Sequence, residues 1–174
     1  MCPKKTDSFF IRKSLEVDNT GAFAQVSVDL GAYVDALGKS VLRIHNIAVS
    51  ISDDAGNAAQ VQAASDSAAC QFQLTTQSQT DTVLASDKSV IASGIVYAVN
   101  SFSGDEFPQV YEDMDNLPQL WTNGYLIAVD TMYLGGEGSS GWVAAENLTI
   151  SVVCECTVEK LNKEAAMALA LSQQ

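Results

Sequence analysis

Residues Asn147 to Lys160, NLTISVVCECTVEK, alternate almost without fault. Leu148, Ile150, Val152, Cys154, Cys156 and Val158 hold one parity; Thr149, Ser151, Glu155, Thr157 and Glu159 hold the other, with Val153 the exception. A strand turns successive side chains to opposite faces, so this stretch has one dry face and one mostly wet face. It is also well beyond the usual strand length of about 5–6 residues. The expectation is a central antiparallel strand on which a β-rich domain is assembled.

The rest of the chain carries the same period. Phe9, Ile11, Leu15 and Val17 share a parity that Lys13 interrupts, and Asp18-Asn19-Thr20-Gly21 supplies turn residues before Ala22, Ala24, Val26, Val28 and Leu30. That order predicts a hairpin. Ala32 to Leu37, closed by Gly38, reads as one helical turn ending at a glycine. From Val41 to Ser52 the parity switches at His45-Asn46, between Leu42 and Ile44 on one side and Ile47, Val49 and Ile51 on the other, as a β-bulge requires. Cys70, Phe72 and Leu74 alternate with polar residues, whereas Val90 to Val99 is a more continuous apolar run with Gly94 inside it. Tyr125, Ile127, Val129 and Tyr133 share a parity, and Gly135 to Gly141 reads as a flexible turn into the long strand. Strands are therefore expected at 8–17, 22–30, 41–52, 70–76, 82–86, 89–99, 124–134 and 146–160. A short helix follows, with Leu161, Ala165, Ala168 and Leu169 at helical spacing and Asn162 as its cap. Many strands and little helix imply a sandwich or a barrel.

Composition narrows the partners. Hydrophobic residues make up 47% and charged residues 17%, which excludes a disordered chain. Nine Lys and Arg stand against 21 Asp and Glu, a formal −12, and such a surface repels nucleic acid. Lys4, Lys5, Arg12 and Lys13 form only a weak basic arm, read as solvated charge. No secretory core and no run near the ~18 apolar residues of a membrane span is visible, so synthesis in a cytoplasm is expected.

Candidate chemistry is sparse. On a strand Cys154 and Cys156 point the same way about 7 Å apart, too far for a simple bond. With Cys70 they read as buried free thiols, because a zinc site would have only Cys2, Cys70 and His45 to add. His45, the single histidine, has no visible partner for catalysis. Asp53, Asp54 and Asn57 resemble part of a calcium loop, and Glu112, Asp113 and Asp115 form a denser oxygen cluster; Ca²⁺ is the cation either would take, against the simpler reading of solvated loop acids. Asn147-Leu148-Thr149 is a sequon by chance, and no nucleophile elbow, phosphate loop, HExxH or dinucleotide fingerprint appears.

The layout resembles that of single jelly-roll capsid proteins of icosahedral viruses. Eight strand candidates run from FFIRKSLEV to NLTISVVCECTVEK with short termini outside them, long polar loops lie at 53–69 and 101–120, and helix is scarce. The resemblance implies an all-β, antiparallel eight-stranded sandwich, jelly-roll-like, with a short C-terminal helix. One domain would span 1–174, its core at about 8–160 and its helix at about 161–172. It implies a structural protein rather than an enzyme, a subunit that self-assembles into an icosahedral shell and resides in the virion after synthesis in the host cytoplasm. Partners would be copies of itself, with a second capsid protein or an internal membrane where the missing Arg-rich arm leaves the genome to another component. Phe102, Phe107, Tyr111, Trp121 and Trp142 would bury against neighbouring copies, and Leu161 and Leu169 would dock the helix on a neighbour or the inner layer. The acidity would tie assembly to salt or divalent ions. The alternative is a carbohydrate- or protein-binding β-sandwich module. There, Trp121, Tyr125 and Trp142 would form an aromatic platform and the acidic loops a Ca²⁺ site; aromatic content of 7% and the missing export signal count against it. A hydrolase on a β-sandwich has no residue constellation in its favour.

Overall fold

The computed structural model describes residues 6–35, 40–59, 67–99, 109–113, 122–142 and 147–174. Within them lie β1 (Phe9–Val17), β2 (Ala24–Asp29), β3 (Ser40–Asp53), β4 (Ser67–Thr75), β5 (Val90–Val99), β6 (Gln109–Asp113), β7 (Tyr125–Ile127), β8 (Thr131–Gly138), β9 (Leu148–Lys160) and α1 (Lys163–Ser172). One sheet has the order β1-β9-β3-β7, the other β2-β8-β4-β5-β6.

The pairing follows a rule. β1 pairs β9, β2 pairs β8, β3 pairs β7 and β4 pairs β5, each antiparallel, so the partners are nested from the chain's outside to its middle. Successive nested pairs fall alternately in the first and second sheet. This is one long two-stranded ribbon rolled into a sandwich, and the β9–β3 and β8–β4 ladders close the roll. The chain is an antiparallel jelly roll.

β9 holds the central place its alternation requires, paired with β1 from Leu148 to Cys156 and with β3 along its whole length. Leu148, Ile150, Val152, Cys154 and Cys156 are buried in one core together with Phe72 and Leu74 of the facing sheet's β4. Full burial of a Leu, Ile or Phe side chain contributes roughly 1.5–3 kcal/mol. The register of β3 on β9 slips between Ile44 and Asn46, so the bulge lies at His45. That one extra residue lets Leu42 and Ile44 on one side and Ile47 on the other all face the core.

Several sequence expectations are corrected. Residues 82–86 form no strand: Val83 N–H donates to Gln73 Oε1 at 2.9 Å, and Gln73 Nε2 donates to Val83 O. A glutamine amide on β4 thus replaces the ladder that a strand there would need. Residues 124–134 are two strands in different sheets, β7 and β8, joined by a crossing at 128–130. Gly135, Gly136 and Gly138 belong to β8 and pair with β2 and β4 rather than forming a flexible turn. β6, inside the stretch read as an irregular loop, adds a ninth strand where eight were expected. Of the helical turn before Gly38, the described part holds the bonds from Tyr33 N–H at 2.8 Å and Val34 N–H at 2.9 Å to Leu30 O; Gly38 lies outside the described residues.

Helix α1 begins at its expected cap, Asn162 Oδ1 accepting from Ala165 N–H at 2.7 Å. It packs on its own sandwich, Ala166 joining Val41 and Ala128 with Leu161 and Leu169 around them. At its end Gln173 is buried. The Gln173 amide accepts from Ala128 N–H at 2.9 Å and donates to Leu126 O at 2.7 Å, answering the open edge beside β7 as a neighbouring strand would. Its main-chain oxygen accepts from Thr76 Oγ1 of the other sheet's loop at 3.0 Å, so one residue ties both sheets to the helix.

Candidate functional site

The Asp53 turn is closed on itself. Asp53 Oδ1 accepts from Ala55 N–H at 3.0 Å and Asn57 N–H at 2.6 Å, while Oδ2 accepts from Asn57 Nδ2 at 3.0 Å. The Asn57 side-chain bond, above all, holds the Asp53 carboxyl below its usual range. Both Asn57 bonds to the Asp53 carboxyl are donations, from its main-chain N–H and its Nδ2, and Asp54 is exposed beside them. Glu112 and Asp113 are consecutive in β6, paired with Val96 and Ile95; Asp115 lies outside the described residues. Among the described residues no three His, Cys, Asp or Glu side chains converge as a metal site would require.

The expected contact residues separate into three groups. Phe102, Phe107 and Trp121 lie outside the described residues, and Tyr111 pairs with Tyr97 along the β6 edge. Trp142 is corrected: it is 2% exposed, and its indole N–H donates to Ala69 O at 3.0 Å, so it belongs to this chain's own core. Leu161 and Leu169 are half-buried and pack beside Val41, Ala128 and Ala166 of their own chain. Tyr125 is half-buried beside Gln173, and burial raises its phenol pKa. With Trp142 in the core, the three-aromatic sugar platform is not formed.

His45 Nε2 stands 2.8 Å from Thr157 Oγ1 on the outer face of the first sheet, a bond that fills the bulge. Among the described residues, the larger apolar side chains that face solvent are Phe10, Tyr33, Leu84, Tyr97, Met167 and Leu171. Phe10 was legible from parity, since Phe9 and Ile11 take the inner positions of β1 and leave it outside. Leu84, Met167 and Leu171 had no such signal. A cleft of about 560 Å³ lies between α1 and the 128–130 crossing, lined among others by Asp35, Asp130, Ala128 and Ala170.

Cys70, Cys154 and Cys156 are buried free thiols, and burial pushes each up to about 12. In the unfolded chain they ionise near the ordinary value of about 8.5. Above that pH the unfolded state releases protons that the folded state keeps, so this contribution to stability is whole below about 8.5 and falls as pH rises towards 12. The midpoint of urea unfolding should drop between about pH 8 and pH 10.5, and drop less in Cys70→Ala/Cys154→Ala/Cys156→Ala. An unchanged slope in the triple variant would assign the alkaline loss to other groups.

No protein-family model and no curated protein matches the sequence. Among solved structures, one of Desmodium yellow mottle tymovirus is similar at 10% identity and a TM-score of 0.38, covering 91% of this chain and 88% of that one. A structure of turnip yellow mosaic virus is similar at 12% identity and a TM-score of 0.33, over 89% and 95%. Merkel cell polyomavirus VP1, in complex with GD1a oligosaccharide, is similar at 8% identity and a TM-score of 0.37, over 88% and 94%. The jelly-roll assignment stands on the strand pairing alone.

Proposed function

We propose that this chain is a structural protein, a viral capsid subunit that assembles with copies of itself into an icosahedral shell and resides in the virion. The observation that carries the reading is the nested β1–β9, β2–β8, β3–β7 and β4–β5 pairing, the jelly roll on which viral shell proteins are built. A surface at formal −12 fits a wall better than a genome-binding core, because phosphate contacts need basic side chains. The same charge makes subunits repel, and salt shortens the repulsion to about 8 Å at physiological ionic strength. Ca²⁺ would act in the same direction by neutralising loop acids at subunit contacts.

Size exclusion with light scattering, at low and high salt and with and without Ca²⁺, tests the proposal. Capsomers or closed particles that grow with salt or Ca²⁺ are expected. A monomer under every condition at high concentration would overturn self-assembly by this chain alone.

A further inference from the structure

We infer that β1 is a docking edge for the β1 of a second copy, the two strands running antiparallel about a two-fold axis at Ser14; the inference rests on the self-assembly reading above. The first sheet has two edges, and they are treated differently. At β7 the edge is answered by the Gln173 amide on Leu126 O and Ala128 N–H. At β1 the strand pairs only with β9, and among the described residues nothing pairs with its far side. Its outward N–H and C=O groups are a template for another strand.

The outer-face side chains of β1 then choose the partner and the register. Phe10, Arg12, Ser14 and Glu16 all face outward and are exposed. Among the described residues Arg12 and Glu16 meet no opposite charge within the chain. Arg12 is already positioned, its guanidinium 5.3 Å from the Phe10 ring centroid, and Glu16 Oε1 accepts from Asn147 Nδ2, which leaves Oε2 open. An axis at Ser14 sets Arg12 opposite the second copy's Glu16, and Glu16 opposite its Arg12. Ser14 meets Ser14 between them. An axis at Lys13 would set lysine against lysine, and one at Arg12 arginine against arginine; like charges directly opposite are destabilising. With the axis at Ser14 the paired stretch runs from Ile11 to Val17. Ile11 then lies opposite Val17, and Lys13 lies opposite Leu15 with its methylene stem against it. The contact is isologous, so every interaction occurs twice.

Charge reversal tests the pairing. Arg12→Glu and Glu16→Arg should each raise the dimer dissociation constant about tenfold or more, since each turns two attractive pairs repulsive. Arg12→Glu/Glu16→Arg should return it to within about threefold of the parent, measured by sedimentation equilibrium. In a Cys2→Ser background, Ser14→Cys should oxidise to a disulfide dimer, because antiparallel partners on the axis stand within disulfide range. Ser50→Cys, exposed on β3 away from the edge, should not. Circular dichroism on each variant verifies the fold. Particles that form equally well with single and double reversals would overturn the β1 contact and leave the shell reading standing. Reversal-sensitive dimers that never grow into particles would support the contact and overturn the shell. A parent protein that stays monomeric throughout would overturn both.

Discussion

Replacing Glu159 with alanine is expected to cost about 3–5 kcal/mol of folding stability, towards the lower end of that range. Glu159 is 2% exposed at its side chain, and its two oxygens accept from Arg43 Nε at 2.6 Å and Nη2 at 2.9 Å. The third guanidinium contact, from Nη1, goes to Asn123 O just before β7. Truncating Glu159 leaves a guanidinium facing β9 with two N–H groups unanswered. Arg43 keeps 17% of its side chain exposed, so some water can follow, which moderates the loss. The pair also sits where α1 docks: Val41, opposite Glu159 in the ladder, shares a cluster with Ala166 of α1. Glu159→Gln retains shape and one acceptor and should cost about 1–2 kcal/mol. Arg43→Met/Glu159→Leu should come out near neutral, since apolar groups of similar volume often replace a buried ion pair without loss. Urea titration of the three variants is the measurement. A loss below about 1 kcal/mol for Glu159→Ala would mean that the pair behaves as a solvated surface bridge.

Where one face of a strand is dry and the other wet, the fold was legible. β1, β3, β4 and β9 show their alternation openly, and the His45 bulge was readable because the parity of Ile44 and Ile47 demands an extra residue. The switch from β7 to β8 left a fainter mark: Ile127 is buried on odd parity, Met132 and Leu134 on even. Tyr133, on the odd side, hid that change behind an apparent continuation. Val83 misled because its partner is a side chain, and nothing local announces that Gln73 will answer a main chain ten residues away. Trp142 was placed on the surface for a similar reason. It follows serines and a glycine, yet its indole N–H finds its acceptor on Ala69, far away in sequence. The candidate site was less legible than the fold, since exposure and edge position arise only once the sheets are assembled. The Arg12–Ser14–Glu16 pattern was in the sequence throughout, but it acquires meaning only because β1 ends a sheet.

Gly136 should tolerate no side chain: Gly136→Ala is expected to cost about 1–3 kcal/mol, and Gly136→Val more. The residue pairs with Phe72 on one side and Ala24 on the other, within β8. A Cβ built there would stand 2.4 Å from Ile150 Cδ1 of the opposite sheet and 2.7 Å from Gln71 O of the adjacent strand. The two obstacles differ. Ile150 is fully buried, and interiors are close-packed, so its terminal methyl can turn away only by repacking its neighbours. Gln71 O is main chain in a strand paired on both sides and moves only if a ladder moves. Ile150→Val removes the Cδ1 atom and by itself should cost about 0.5–1.5 kcal/mol. In the Gly136→Ala background the same change vacates the space that the new methyl needs. The double variant should therefore lose at least about 0.5 kcal/mol less than the sum of the single losses. Strict additivity would place the whole penalty on Gln71 O and would mean that Ile150 does not set the spacing of the sheets. Coupling would show instead that the two sheets approach through a glycine on β8 and an isoleucine on β9, so the run read as a flexible turn is among the least yielding parts of the sandwich.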